Sequence, residues 1–98
     1  MIVIRNVFRI HPDRMKDAKA LVPEIQAINK RLGLPAGRAM TDLTGPSYTL
    51  VLEMEQPSLA AWEQALGKVF ADPDWQKSYG KFRPMVESGH REIYTVVG

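Results

Sequence analysis

A chain of 98 residues, 45% hydrophobic and 24% charged, is long enough for one hydrophobic core and too short for two, so a single domain over residues 1–98 is expected. Zero cysteines exclude disulfides, thiolate nucleophiles and cysteine-based zinc or iron–sulfur sites together. The net charge of +2 is scattered, with no basic cluster longer than Lys30-Arg31. That excludes the basic face or stripe that nucleic-acid binding requires. No apolar run approaches the roughly 20 residues that span a bilayer, and the N-terminus enters a strand pattern with no leader-like flank. A cytoplasmic protein that uses no membrane is expected.

The stretch Ile2 to Ile10 alternates at the strand period of two. One face reads Ile2, Ile4, Asn6, Phe8, Ile10; the other reads Val3, Arg5, Val7, Arg9. The first face is fit to lie under helices, yet it carries a carboxamide at its centre. Pro12 then ends the strand, because it has no N–H for a ladder and a φ preset for a helix start. From Asp13 to Leu32 the apolar residues Met15, Ala18, Leu21, Val22, Ile25, Ile28 and Leu32 form a one-sided stripe, the mark of an amphipathic helix. Pro23 falls inside it and predicts a kink. Gly33 follows where a left-handed cap is wanted.

Arg38 to Leu43 is a second strand, and the turn formers Thr44-Gly45-Pro46-Ser47 lead into a third at Tyr48 to Glu55. Its alternation places Tyr48, Leu50, Leu52 and Met54 on one face. Ser58 is a suitable N-cap for a second helix with Leu59, Trp62, Leu66 and Val69 on its buried side. Asp72-Pro73-Asp74 restarts a helix, with a cap, a first-turn proline and an acid near the positive end of the dipole. Trp75, Tyr79, Phe82 and Val86 give it an almost wholly aromatic face. Ser88-Gly89 is read as its break, and His90 to Val97 as the last strand.

The order β-α-β-β-α-β, with right-handed crossovers, is that of an α+β ferredoxin-like fold: an antiparallel four-stranded sheet, order 4-1-3-2, with helices on one face. The other face would set Arg5 and Arg9 against Glu53, Glu55 and Thr49 as cross-strand partners. Val3, Val7, Val51 and Ile93 or Val97 make that face too apolar to stay wet, and no third layer remains in the chain. A homodimer packed through this sheet face is expected.

Ile2 to Ile10, the Ser58 to Phe70 helix with Trp62, the run Ala71-Asp72-Pro73-Asp74-Trp75-Gln76 and Arg91-Glu92-Ile93-Tyr94-Thr95 together resemble the dimeric α+β-barrel superfamily. Within it the chain is most similar to short NIPSNAP-like proteins, through Asp-Trp-Gln and Arg-Glu-Ile-Tyr. The resemblance implies a barrel of two ferredoxin-like subunits, with no cofactor. The superfamily also holds cofactor-independent monooxygenases of the antibiotic-biosynthesis type and haem-degrading monooxygenases. The latter place an Asn on the first strand and a Trp on the second helix over the substrate, as Asn6 and Trp62 would stand here. Their iron-binding His has no counterpart, its place being taken by Tyr79 or a neighbour, so haem degradation ranks below both other activities.

Asn6 on an apolar face needs partners or costs about 1–3 kcal/mol. It is either a bonded core amide or a polar anchor in a pocket between sheet and helices. Trp62, Trp75 and Tyr79 face the same space, and Tyr48 and Tyr94 would frame it; a planar aromatic or apolar molecule is the ligand such walls suit. Simple core packing is the alternative for the aromatic stripe. His11 and His90, at the predicted ends of the first and last strands, would meet at one edge near Asp42 and Tyr48. His11 is thus a candidate acid or base beside Asn6 and Tyr79. No spacing motif for a metal is present, and none is expected. Arg38 on the edge strand could meet an anion or simply be solvated. Phosphate loops, His-Glu-x-x-His and Gly-x-Ser-x-Gly are absent. Two functions remain: a small-molecule-binding dimer and a cofactor-independent monooxygenase.

Overall fold

The computed structural model describes residues 1–98. It contains β1 (Ile2–Ile10), a 3-10 turn (Pro12–Arg14), α1 (Met15–Arg31), β2 (Arg38–Thr41) and β3 (Thr49–Gln56). α2 (Leu59–Ala71), α3 (Pro73–Phe82), a second 3-10 turn (Arg83–Met85) and β4 (Val86–Thr95) complete it. The sheet order is β2-β3-β1-β4, all pairs antiparallel. This is the α+β ferredoxin-like arrangement expected from the alternation of strand and helix periods. The Cα envelope measures 36 × 35 × 18 Å, the thickness of one sheet and one helical layer.

The register puts Ile4 opposite Met54, Asn6 opposite Leu52 and Phe8 opposite Leu50 on the helix side, with Arg5 opposite Glu53 and Val7 opposite Val51 on the other. The tightest packing lies at the Ile10 end of β1, where Ile10, Ala18, Leu21, Leu50, Phe82 and Met85 form one buried cluster. Each large side chain buried there is worth about 1.5–3 kcal/mol. Phe8 meets Phe82 edge to face at 5.0 Å and 82°.

Local capping behaves as the residue types require. Ser58 Oγ accepts from the Ala61 amide at 3.1 Å, and Asp72 caps α3 by accepting from the Trp75 amide at 2.9 Å. Pro23 lies within an unbroken α1. Gly37 opens β2 at φ 70°, and a Cβ there would stand 2.5 Å from the Glu53 carbonyl oxygen. Only glycine fits both the backbone and the space.

Several boundaries differ from those predicted. β2 stops at Thr41 rather than Leu43, which is fully exposed. Tyr48 precedes β3 at φ 60°, so it leaves the strand alternation, although its carbonyl still accepts from the Ile10 amide at 2.8 Å. β4 begins at Val86, not His90: Pro84 sits inside the 3-10 turn that follows α3 and runs to Met85, and Ser88-Gly89 continues the strand because it pairs with central β1. Gly89 faces Phe8, where an added Cβ would meet the ring at 3.0 Å. A bulge between Arg9 and Ile10 leaves Glu87 without a partner. The earlier start also reassigns faces, since Ile93 pairs with Ile4 on the helix side and Val97 lies beyond the strand, 97% exposed.

Candidate functional site

The helical layer does not close over the sheet along its whole length. Between them lies a cleft of about 850 Å³, open to solvent, whose floor is Ile4, Asn6, Phe8, Leu52 and Met54. Its walls come from Ile25 and Asn29 of α1, Trp62 and Leu66 of α2, and Trp75 and Tyr79 of α3. Seventeen of its 26 lining residues are hydrophobic, so the polar ones stand out as points of orientation.

Each wall is held in place by an identifiable contact. The Ser58 cap starts α2 one turn before Trp62. At the α2–α3 junction Arg31 Nη2 donates to both carboxylate oxygens of Asp72 at 2.8 Å and to Asp74 at 3.3 Å, tying the end of α1 to the residue that caps α3. The Arg31 bond, and then the Trp75 amide, hold the Asp72 carboxyl below its ordinary pKa, and the same bond raises that of Arg31. Trp75 is thereby fixed; it stacks on Tyr79 at 4.9 Å and 9° and meets Phe70 at 5.2 Å. Ser78, fully buried, donates to Glu24 at 2.7 Å and joins α3 to α1.

The floor carries a polar trio. Asn6 Oδ1 accepts from Arg91 Nε at 2.8 Å, and the Arg91 guanidinium lies over the Trp62 ring, 4.8 Å from its centroid. Asn6 is therefore bonded to a side chain at the cleft rather than to backbone in a closed core. On the opposite wall Asn29 is only 8% exposed as a residue; its carboxamide makes no hydrogen bond within the chain, and its polar atoms face the solvent of the cleft rather than being sealed off. Glu53 is engaged by Arg5 at 3.2 Å and Arg38 at 2.8 Å, as expected for a cross-strand partner. The Arg5 Nε–H, although that close, is not aimed at the carboxylate and is left buried without an aligned acceptor.

Of the residues singled out in the sequence, Asn6, Trp62, Trp75 and Tyr79 line the cleft together. Tyr48 does not: its positive φ sends it to a small surface hollow with Met15, Lys19 and Asp42. Tyr94 does not either, because its place opposite Val3 puts it on the outer sheet face. There it donates to Glu92 Oε1 at 2.9 Å, while His90 holds the other oxygen at 2.8 Å. The His90 bond, with that of Tyr94, lowers the Glu92 pKa, and Glu92 in turn raises that of the Tyr94 phenol. His11 and His90 are not brought to one edge. His90 pairs with Val7 in mid-strand, four residues along the chain from His11 or about 13 Å at the usual strand rise. No group of three His, Asp or Glu side chains is placed to hold a metal ion.

Two cleft residues escaped sequence reading. Arg91 stands opposite Asn6 only because β4 starts at Val86 and a bulge at Glu87 then shifts the register by one, neither of which the sequence announces. Asn29 continues the Ile25 stripe at i+4, a spacing that flags a polar residue on a buried face.

Architecture and cleft together define a ferredoxin-like α+β domain with a ligand-sized space between sheet and helices. The NIPSNAP family model matches residues 4–98, and the chain belongs to that family. No curated protein matches it. Among solved structures, a NIPSNAP family protein from Agrobacterium tumefaciens superposes with a TM-score of 0.86 at 22% identity, covering 98% of this chain and 85% of that one. An uncharacterized NIPSNAP domain protein from Burkholderia xenovorans gives 0.86 at 16% identity, covering 99% and 95%. A putative antibiotic biosynthesis monooxygenase from Deinococcus radiodurans gives 0.74 at 14% identity, covering 100% and 94%. Identities this low carry the fold alone. No helix is long and apolar enough to cross a membrane.

Proposed function

We propose that this NIPSNAP protein is a cytoplasmic homodimer that binds a small, planar apolar molecule in the cleft between sheet and helices. The observation that carries the proposal is the cleft itself: about 850 Å³, with both tryptophans of the chain in its walls. That volume falls within the range of small-molecule sites. Titration with the neutral dye N-phenyl-1-naphthylamine tests it, because a bound dye should brighten and quench Trp62 and Trp75 together. Saturable quenching supports the proposal; a linear, non-saturating response rejects it.

The dimer is the other half. Val3, Val7 and Val51 stand on the outer sheet face, with the orphaned Arg5 Nε and exposed Tyr94 beside them. A second copy related by a twofold axis would cover this surface with its own like surface. Sedimentation should give a dimer, and Val7→Glu a folded monomer. A monomeric wild type would refute the assembly.

A second function is favoured by Asn6 and Arg91, whose N–H groups point into an apolar cleft and could hold the oxygen of an electron-rich ligand. Such a ligand could pass electrons from a CH2 group directly to dioxygen, one oxygen atom becoming the product carbonyl and the other water. The likeness to monooxygenase structures supports this possibility. Oxygen uptake with the electron-rich probe anthrone distinguishes it from binding alone.

A further inference from the structure

Resting on the proposal that the cleft binds a small molecule, we propose that its ligand is an acid: a planar apolar body bearing a carboxylate, with Arg91 as the receptor for that group. The charges around the cleft carry the proposal. Arg83 and Arg91 line it with no carboxylate within ion-pair distance, whereas Arg38 and Glu53, the only carboxylate at its edge, share the outer-face register and pair with each other. Glu53 is already shared between Arg38 and Arg5. The cleft therefore has an excess of positive charge with no mobile acid to balance it.

Arg91 differs from most other arginines of the chain. Arg5, Arg14, Arg31 and Arg38 each have a carboxylate within ion-pair distance, whereas the polar partner of Arg91 is the neutral Asn6 oxygen. That bond uses Nε, so the two terminal nitrogens keep their N–H groups for a ligand. Trp62 supports the guanidinium plane at 4.8 Å, and Asn6 sets its rotation, so the fork is fixed before anything binds. A planar fork of parallel N–H donors matches the two oxygens of a carboxylate. Trp62 and the stacked Trp75 and Tyr79 offer flat apolar surface for the rest of the molecule. The Asn29 carboxamide, on a residue only 8% exposed, opens onto the same cleft and makes no hydrogen bond within the chain, which leaves it free to meet a second polar point of a ligand.

The test uses two probes of the same shape, 2-naphthoate and 2-naphthamide, each titrated by tryptophan quenching at low salt. Wild type should bind the acid at least about 10-fold more tightly, the usual worth of a charge-assisted hydrogen bond. Arg91→Met should abolish the preference for the acid over the amide, and Arg91→Lys should restore part of it. Arg9→Met removes an equal charge from the outer face and should leave the preference unchanged. Circular dichroism confirms that each variant is folded. Equal affinity of wild type for the two probes, or a preference that survives Arg91→Met, overturns the proposal while the binding function stands. Binding of neither probe, with no response to N-phenyl-1-naphthylamine, overturns the binding function and this proposal with it.

Discussion

Replacing Asn29 by leucine should make the protein more stable. The wild-type residue is 8% exposed and its carboxamide makes no hydrogen bond within the chain, its polar atoms keeping contact with the cleft solvent; complete desolvation would cost about 1–3 kcal/mol. Residual contact with the open cleft puts the cost at the lower end of that range. Leucine keeps the branching at Cγ, has room for its larger body in the open cleft, extends an apolar wall that already includes Ile25 and Leu66, and is the better helix former by a few tenths of a kcal/mol. The net gain should be about 1–2 kcal/mol, or roughly 5–10 °C in Tm for a domain of this size. Urea unfolding gives the direct measurement: the midpoint should rise with an unchanged slope. 2-Naphthoate, which brings no second polar group, should bind the variant at least as well as wild type. A midpoint that falls or stays put would refute the reasoning, because it would mean that the carboxamide is satisfied in the folded state.

Asp72 predicts an acid limb. Its pKa is lowered in the folded protein by Arg31 and the Trp75 amide, so the folded state binds fewer protons than the unfolded chain. The resulting stability is fully present above the unfolded value of about 4 and is lost as pH falls below it through the folded pKa. Asp72→Asn should flatten that part of the stability curve, read as Tm against pH; an unchanged slope would count against it. Gly37→Ala should be the more damaging change. It combines a positive φ of 70° with a Cβ 2.5 Å from backbone, and each fault alone costs about 1–2 kcal/mol or more. Thermal melts should show a drop of at least 10 °C or no folded protein; a near-native Tm would refute the close approach.

The order of strands and helices and the starts of α2 and α3 were legible because their signals are local. Ile2 to Ile10 alternates over nine residues, and Ser58 and Asp72 are capping residues followed by helical stripes. Errors arose where tertiary structure overrode local chemistry. Ser88-Gly89 is a poor strand former, yet pairing with the central strand and a berth for Phe8 hold it extended. Tyr48 has a positive φ that no tyrosine advertises. The site was half legible for a related reason. Asn6 and Trp62 are conspicuous wherever they lie, whereas the width of a cleft depends on how far three helices stand from a sheet. Arg91 was hidden by the misplaced start of β4, which is a matter of register rather than residue type.

The parity of β1 links the two halves of the proposed function. Its even-numbered residues supply the cleft floor and its odd-numbered residues the opposite surface, one strand thickness apart. A single-residue deletion near Arg9, with the turn into α1 held in place, would transpose them, sending Asn6 outward and Arg5 under the helices. Point substitutions in β1 can adjust one surface at a time; insertions and deletions cannot. The strand can therefore diverge freely in residue type between relatives while its length stays locked, and an alignment gap inside it would mark a protein that had lost both surfaces at once.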